Sequence, residues 1–89
     1  MNSGISLLRV MLVDDEPYIR KGLAALIDWE AEGCYIAGEA SDGNGAIRLL
    51  QQQEYDIIIS DIRMPEMDGI ELITRVKEQK LSKARFIFL

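Results

Sequence analysis

The stretch Val10-Met11-Leu12-Val13-Asp14-Asp15-Glu16-Pro17 decides the fold class, because a continuous apolar run passes directly into acids and a proline. A run that is apolar on both faces is typical of a strand in a parallel sheet that helices cover on both sides. Proline is accepted in the first turn of a helix, where its missing N–H is not needed. The stretch therefore predicts a buried strand followed at once by a helix.

Apolar runs and helical spacings alternate along the rest of the chain. The predicted elements are, in chain order, a strand at residues 8–13, a helix at 17–31, a strand at 35–39, a helix at 44–53, a strand at 57–60, a helix at 68–80 and a strand at 85–89. Strands that alternate with helices are typical of right-handed βαβ units. We therefore expect an α/β fold with a doubly wound parallel sheet over residues 8–89, preceded by a loose tail at residues 1–7.

Each helix is expected to turn one apolar face towards the sheet. The residues that define these faces are Ile19, Leu23, Leu26 and Ile27 in the first helix, Ala46, Ile47, Leu49 and Leu50 in the second, and Ile70, Ile73 and Val76 in the third.

Composition excludes several classes of function. The 89 residues suffice for at most one domain, and 15 acids against 10 Lys and Arg argue against a nucleic-acid surface. Cys34 is the single cysteine and histidine is absent, so neither an internal disulfide nor a Cys/His zinc site can form, which favours a reducing cytoplasm. Arg9 and the acids after Val13 interrupt the N-terminal apolar run, which is therefore neither a signal peptide nor a membrane span.

Carboxylates follow two of the predicted strands. Asp14 and Asp15 come after the first strand and Asp61 after the third, and they converge if these two strands are neighbours. Clustered carboxylates repel one another unless a cation joins them, and Mg²⁺ prefers oxygen ligands of this kind. An aspartate beside such an ion can also act as a nucleophile towards phosphorus.

Helix capping is the alternative explanation for these acids. A carboxylate at a strand-to-helix turn often accepts hydrogen bonds from the first N–H groups of the helix, and this reading stays open for Asp14 and Asp15. Four other aspartates are expected to be caps, turn residues or solvated positions: Asp28, Asp42, Asp56 and Asp68.

Two motifs together resemble the receiver domain of two-component response regulators. They are residues 10–17, quoted above, and Asp61-Ile62-Arg63-Met64-Pro65-Glu66-Met67-Asp68-Gly69. The resemblance implies a flavodoxin-like fold with the strand order 2-1-3-4-5. It also implies that Asp61 accepts a phosphoryl group from a sensor histidine kinase, and that Asp14 and Asp15 bind Mg²⁺.

The resemblance assigns roles to three further residues. The backbone carbonyl of Arg63 would complete the coordination of the metal. Pro65 and Gly69 would shape the loop, with proline fixing φ and glycine tolerating a positive φ. Met64, Met67 and Cys34 are expected to be packing residues.

A finer resemblance concerns the output of such a regulator. Leu26-Ile27-Asp28-Trp29 and Ile36-Ala37-Gly38-Glu39-Ala40 are similar to receivers joined to an AraC-type helix-turn-helix domain, so DNA would be contacted only through a domain absent from these residues. Trp29 also has a simpler explanation, as a residue that covers the end of the first helix.

Compared with a five-stranded receiver, these residues supply four strands and three helices. We therefore expect an incomplete receiver without the Ser or Thr, the Lys and the aromatic residue that report phosphorylation. An exposed fourth strand and uncovered sheet faces would favour self-association of the 89-residue polypeptide.

Three functions are weighed. The first is a phosphoacceptor signalling switch that regulates transcription and is not an enzyme. The second is a phosphorylation-independent interaction or dimerisation module of the same fold. The third is an aspartate-nucleophile phosphatase of the dehalogenase type, whose Asp-x-Asp pattern after the first strand disagrees with the adjacent Asp14 and Asp15.

Overall fold

The computed structural model describes residues 6–89. The elements are, in chain order, β1 (Leu8–Val13), α1 (Pro17–Leu26), a 3₁₀ helix (Glu30–Glu32), β2 (Cys34–Ala40), α2 (Gly43–Gln52), β3 (Ile57–Ser60), α3 (Gly69–Glu78) and β4 (Arg85–Phe88). The predicted alternation of strands and helices is confirmed. Residues 1–5 of the predicted tail lie outside the described residues.

The four strands form one parallel sheet in the order β2-β1-β3-β4. Successive side chains of β1 point to opposite faces of this sheet. Met11 and Val13 pack into a core with α2 and α3, whereas Val10 and Leu12 pack into a second core beneath α1. Helices therefore cover both faces, and the predicted doubly wound α/β sheet is confirmed.

The helices α2 and α3 pack closely on one face. Ala46 and Leu50 of α2 and Val76 of α3 are buried as predicted, and Leu72 of α3, which was not predicted, is buried as well. Ile70, in contrast, is 52% exposed, so its prediction as a core-facing residue is wrong. Leu72 takes the inward position instead, because it shares a helical stripe with Val76, four residues later.

The first helix is shorter than predicted and packs through a different stripe. It ends at Leu26 instead of residue 31, because Ile27 is extended and the indole Nε1 of Trp29 donates a hydrogen bond to the Leu23 carbonyl in the last turn. Leu23 and Ala24 pack against the second core, whereas Leu26 is 86% exposed.

The predicted apolar face of α1 is therefore wrong for three of its four residues. Leu26, Ile19 and Ile27 are all exposed, and only Leu23 packs inward. The explanation of Trp29 as a residue that covers the helix end is confirmed.

Of the four aspartates expected to be caps, turn residues or solvated positions, two are caps. Asp42 and Asp68 occupy the N-cap positions of α2 and α3 and accept hydrogen bonds from the backbone N–H groups of Gly45 and Glu71. Asp28 accepts a turn hydrogen bond from the Ala31 N–H. The other predicted bounds differ from the observed ones by at most two residues. Among residues 6–89, no helix is long and apolar enough to cross a membrane.

Candidate metal and phosphoacceptor site

Three aspartates meet at the carboxyl edge of the sheet. β1 pairs with β3, so Asp14 and Asp15 emerge beside Asp61, whose backbone N–H donates to the Val13 carbonyl over 2.9 Å. One carboxylate oxygen from each of the three residues lies within 4.8 Å of the others. The structure thus brings together the three acids that the sequence singled out.

Asp14 is fixed by its surroundings on both strands. It is buried, its backbone N–H donates to the Ala40 carbonyl of β2, and its Oδ1 accepts the Glu16 N–H over 2.8 Å. The N-cap of α1 is Glu16, whose side chain makes no capping hydrogen bond. The capping explanation is therefore wrong for Asp14 and Asp15, and Asp14 forms a local turn with one oxygen while the other stays available.

Arg20 lies directly behind this turn and was not singled out from the sequence. Its guanidinium Nη1 donates to the Asp14 carbonyl oxygen over 2.6 Å, and its Nε donates to Glu39 Oε1 over 3.1 Å. The Arg20 side chain is only 16% exposed. The spacing of residues in the sequence could not reveal the contact between Arg20 and Glu39, because Glu39 belongs to β2 and comes 19 residues later.

Asp61 is oriented by the loop that follows it. The Arg63 N–H donates to Asp61 Oδ1 over 3.3 Å, and the Arg63 residue itself is exposed. Further along, Met64 and Met67 are buried in the core beneath the loop, as predicted. The loop therefore rests on a packed base while its first turn holds the Asp61 carboxylate.

The predicted reason for Gly69 is wrong. Within residues 6–89 the only glycine with a positive φ is Gly33, so Gly69 does not serve the loop by a left-handed conformation. Instead, a Cβ on Gly69 would lie 2.5 Å from the Asp61 carbonyl oxygen and 2.9 Å from a ring carbon of Phe88. The left-handed residue of this loop is Glu66, with φ +68°.

The donor set suits a hard cation. All three side chains offer carboxylate oxygens, which Mg²⁺ prefers over nitrogen or sulfur ligands. The cluster also contains a carboxylate that could act as a nucleophile, since Asp61 is only partly buried.

Comparison with known proteins agrees with this geometry. The family described as response regulator receiver domain matches residues 10–89. The chain is 44% identical to the transcriptional regulatory protein YdfI of Bacillus subtilis over 80% of its own length and 33% of YdfI. It is 35% identical to the nitrate/nitrite response regulator NarL of Escherichia coli over 89% of its length and 36% of NarL.

Solved structures show the same similarity. The receiver domain of AraT, a response regulator from Geobacillus stearothermophilus, superposes with a TM-score of 0.81 at 32% identity. That match covers 92% of this chain and 63% of the AraT chain. The chain spans about a third of the length of YdfI and NarL. A match over residues 10–89, together with the shared fold, places the chain in the family of response regulator receiver domains of two-component systems.

Proposed function

We propose that the protein is a phosphoacceptor signalling module of a two-component phosphorelay, in which Asp61 accepts a phosphoryl group from a sensor histidine kinase. The observation that carries this proposal is the convergence of Asp14, Asp15 and Asp61 within 4.8 Å at the carboxyl ends of adjacent strands. Membership of the receiver family supports it.

The chemistry assigned to Asp61 is a single displacement. One carboxylate oxygen forms a bond to phosphorus, the bond between phosphorus and the donor nitrogen breaks, and the imidazole leaves with the electron pair. The Arg63 N–H bonded to Oδ1 would orient the Asp61 carboxylate for this attack. The protein undergoes this transfer itself as a signalling receiver and is not an enzyme acting on a separate substrate.

Asp14 and Asp15 would hold Mg²⁺ together with Asp61, and the Arg63 carbonyl would complete the protein ligands. The fit rests on the all-oxygen donor set and on the Asp14 oxygen that the Glu16 N–H leaves available. When bound, Mg²⁺ would offset the charge of the incoming phosphoryl group.

The output is proposed to be control of transcription. YdfI is named a transcriptional regulatory protein, and these residues correspond to about a third of its length. On this basis residues 8–89 form part of a receiver in a cytoplasmic regulator that contacts DNA through a separate domain. The similarity of residues 26–29 and 36–40 to AraC-type regulators, stated above, supports an output domain of that type.

The 89-residue polypeptide by itself is proposed to self-associate. In the described part of the chain β4 is an edge strand, in which Ile87 is 48% exposed, and Leu89 directly after it is 60% exposed. Unpaired edge N–H and C=O groups next to exposed apolar side chains favour association. Sedimentation of the isolated polypeptide tests this, and a monomer with a sharp cooperative melt would contradict it.

One experiment tests the central proposal. The full-length protein is incubated with Mg²⁺ and a small phosphodonor and weighed intact by mass spectrometry, beside Asp61→Asn and the control Asp42→Asn. Asparagine caps helices as well as aspartate, so the control keeps its α2 cap. We expect one phosphoryl adduct in the wild type and the control and none in Asp61→Asn. Failure of the wild type to form an adduct would favour the phosphorylation-independent interaction module.

A further inference from the structure

Arg20 and Glu39 form an ion pair beside Asp14, in which the arginine is largely covered and the glutamate is exposed. The Arg20 guanidinium lies between Asp14 and Glu39. Its Nη1 donates to the Asp14 carbonyl over 2.6 Å, and its Nε donates to Glu39 over 3.1 Å. The Arg20 side chain is 16% exposed and that of Glu39 is 39% exposed, so the arginine is covered by protein on most sides while water reaches the glutamate. A planar guanidinium can hold two acceptors in fixed directions in this way.

We propose that Arg20 is a positioning residue for the metal ligand Asp14, and that Glu39 orients Arg20. This inference rests on the proposed function, since it concerns presentation of Asp14 to Mg²⁺. Arg20 contacts the backbone of Asp14, so it acts through that residue and is not itself a ligand.

The hydrogen bonds around Asp14 explain how the positioning works. The Asp14 N–H is bound to Ala40 of β2, the carbonyl to Arg20 of α1 and Oδ1 to the N–H of Glu16. Asp14 is thereby anchored to β2 through the peptide group before it and to α1 through the peptide group after it. Without Arg20 the Asp14 carbonyl loses its partner, and the peptide plane and the turn that aims the carboxylate can rotate.

A counterion role for Arg20 is the competing explanation, and it predicts the opposite result. A guanidinium near three carboxylates would lower their affinity for Mg²⁺, so removing it would tighten binding. Here the guanidinium is paired with Glu39, and the pair carries no net charge. The geometry therefore favours positioning over charge compensation.

The test measures Mg²⁺ affinity of the full-length protein by calorimetry for the wild type, Arg20→Gln, Arg20→Lys and Glu39→Gln. Loss of a group that orients a metal ligand typically weakens metal binding about 10- to 100-fold. We expect Mg²⁺ to bind about 10-fold more weakly to Arg20→Gln. Arg20→Lys should lose less affinity, because the ammonium keeps the charge but cannot hold both acceptors as a guanidinium does. Glu39→Gln should also lose less affinity than Arg20→Gln. Arg75→Gln is the matched control, because it removes an exposed arginine–glutamate pair on α3, joined over 3.0 Å.

A second readout does not depend on metal. In metal-free protein, amide hydrogen exchange of Glu16 reports the hydrogen bond to Asp14 Oδ1. We expect faster exchange in Arg20→Gln and unchanged exchange in Arg75→Gln, after correction for global stability. If Arg20→Gln does not fold, Arg20→Lys and Glu39→Gln decide the question by the same two measurements.

The outcomes separate the two proposals. A wild type that binds Mg²⁺ beside an Arg20→Gln variant that binds equally or more tightly overturns the positioning role and leaves the proposed function intact. A wild type that does not bind Mg²⁺ overturns the metal site and the positioning role together.

Discussion

Gly69 lies against the backbone of Asp61, and its Cα leaves no room for a side chain on the side of the Asp61 carbonyl oxygen. A Cβ there would approach that oxygen to 2.5 Å and the Ile62 Cα to 3.2 Å. The Gly69 N–H also donates to the Ile62 carbonyl over 2.8 Å. The first residue of α3 is therefore packed directly onto the strand end that carries the proposed phosphoacceptor.

Gly69→Ala should destabilise the fold and disturb Asp61. The nearest atom is the backbone oxygen of Asp61, so a rotamer change cannot relieve that clash, and the ring of Phe88 at 2.9 Å adds a second close contact. Overpacking of this kind costs about 1–3 kcal/mol. We expect a lower denaturation midpoint in urea and slower phosphoryl uptake. Gly22→Ala is the control, because a Cβ on Gly22, inside α1, meets no atom within 4 Å. It should gain about 0.5–1 kcal/mol, and equal effects of the two substitutions would contradict the packing argument.

Asp15→Asn should stabilise the metal-free protein and reduce its response to Mg²⁺. Three carboxylates within 4.8 Å repel one another, and removing one charge relieves on the order of 1 kcal/mol. Thermal unfolding with EDTA and with Mg²⁺ measures both effects, since an ion that binds only the folded state raises its stability. The control Asp42→Asn should respond to Mg²⁺ as the wild type does, and an equal response in Asp15→Asn would argue against the site.

Lys80→Gly should stabilise the end of α3. Lys80 has φ +54°, and the Lys80 and Leu81 N–H groups donate to the carbonyls of Lys77 and Val76, the pattern in which glycine is favoured. Glycine adopts the left-handed backbone conformation without strain, so the free energy of unfolding should rise by about 0.5–1 kcal/mol. Chemical denaturation measures this change. Lys77→Gly, inside the helix, should lose about 1 kcal/mol, and a loss in both variants would refute the explanation.

Asp56→Ala should weaken the start of the sheet through a hydrogen bond more than through an ion pair. The Asp56 carboxylate accepts the Arg9 N–H over 2.7 Å, whereas its distance to the Arg9 guanidinium is 3.6 Å. We expect a loss of about 1–3 kcal/mol for Asp56→Ala, a smaller loss for Asp56→Asn, and less than about 1 kcal/mol for Arg9→Ala. Urea unfolding of the three variants gives the comparison, and a larger loss for Arg9→Ala would reverse the ranking.

Asp56 also shows that the role of an acid cannot always be predicted from its neighbours in the sequence. The sequence placed it among caps, turns and solvated positions, but its side chain reaches β1 across 47 residues of chain. Asp42 and Asp68 were predicted correctly because a cap depends on residues within the next helical turn. The partner of Asp56 depends on strand pairing, which local spacing does not encode.

The predicted apolar faces of the helices were also right in one helix and wrong in another. Ala46 and Leu50 are buried as the spacing predicts. In α1 the spacing predicted a face through Leu23 and Leu26, whereas the helix packs on the sheet through Leu23 and Ala24. Which stripe is buried depends on the shape of the surface that receives the helix.

The sequence by itself determined the order of the strands and helices, the parallel sheet and the three aspartates of the proposed site. The spacing of apolar residues, the signals that begin and end helices and the acids that follow strands are all local properties of the chain. Only the tertiary structure decided that Arg20 reaches Asp14 and Glu39, and that Gly69 is needed for close approach to Asp61. These contacts join elements that are separate in the chain, and their distances exist only after the sheet has aligned β1, β2 and β3.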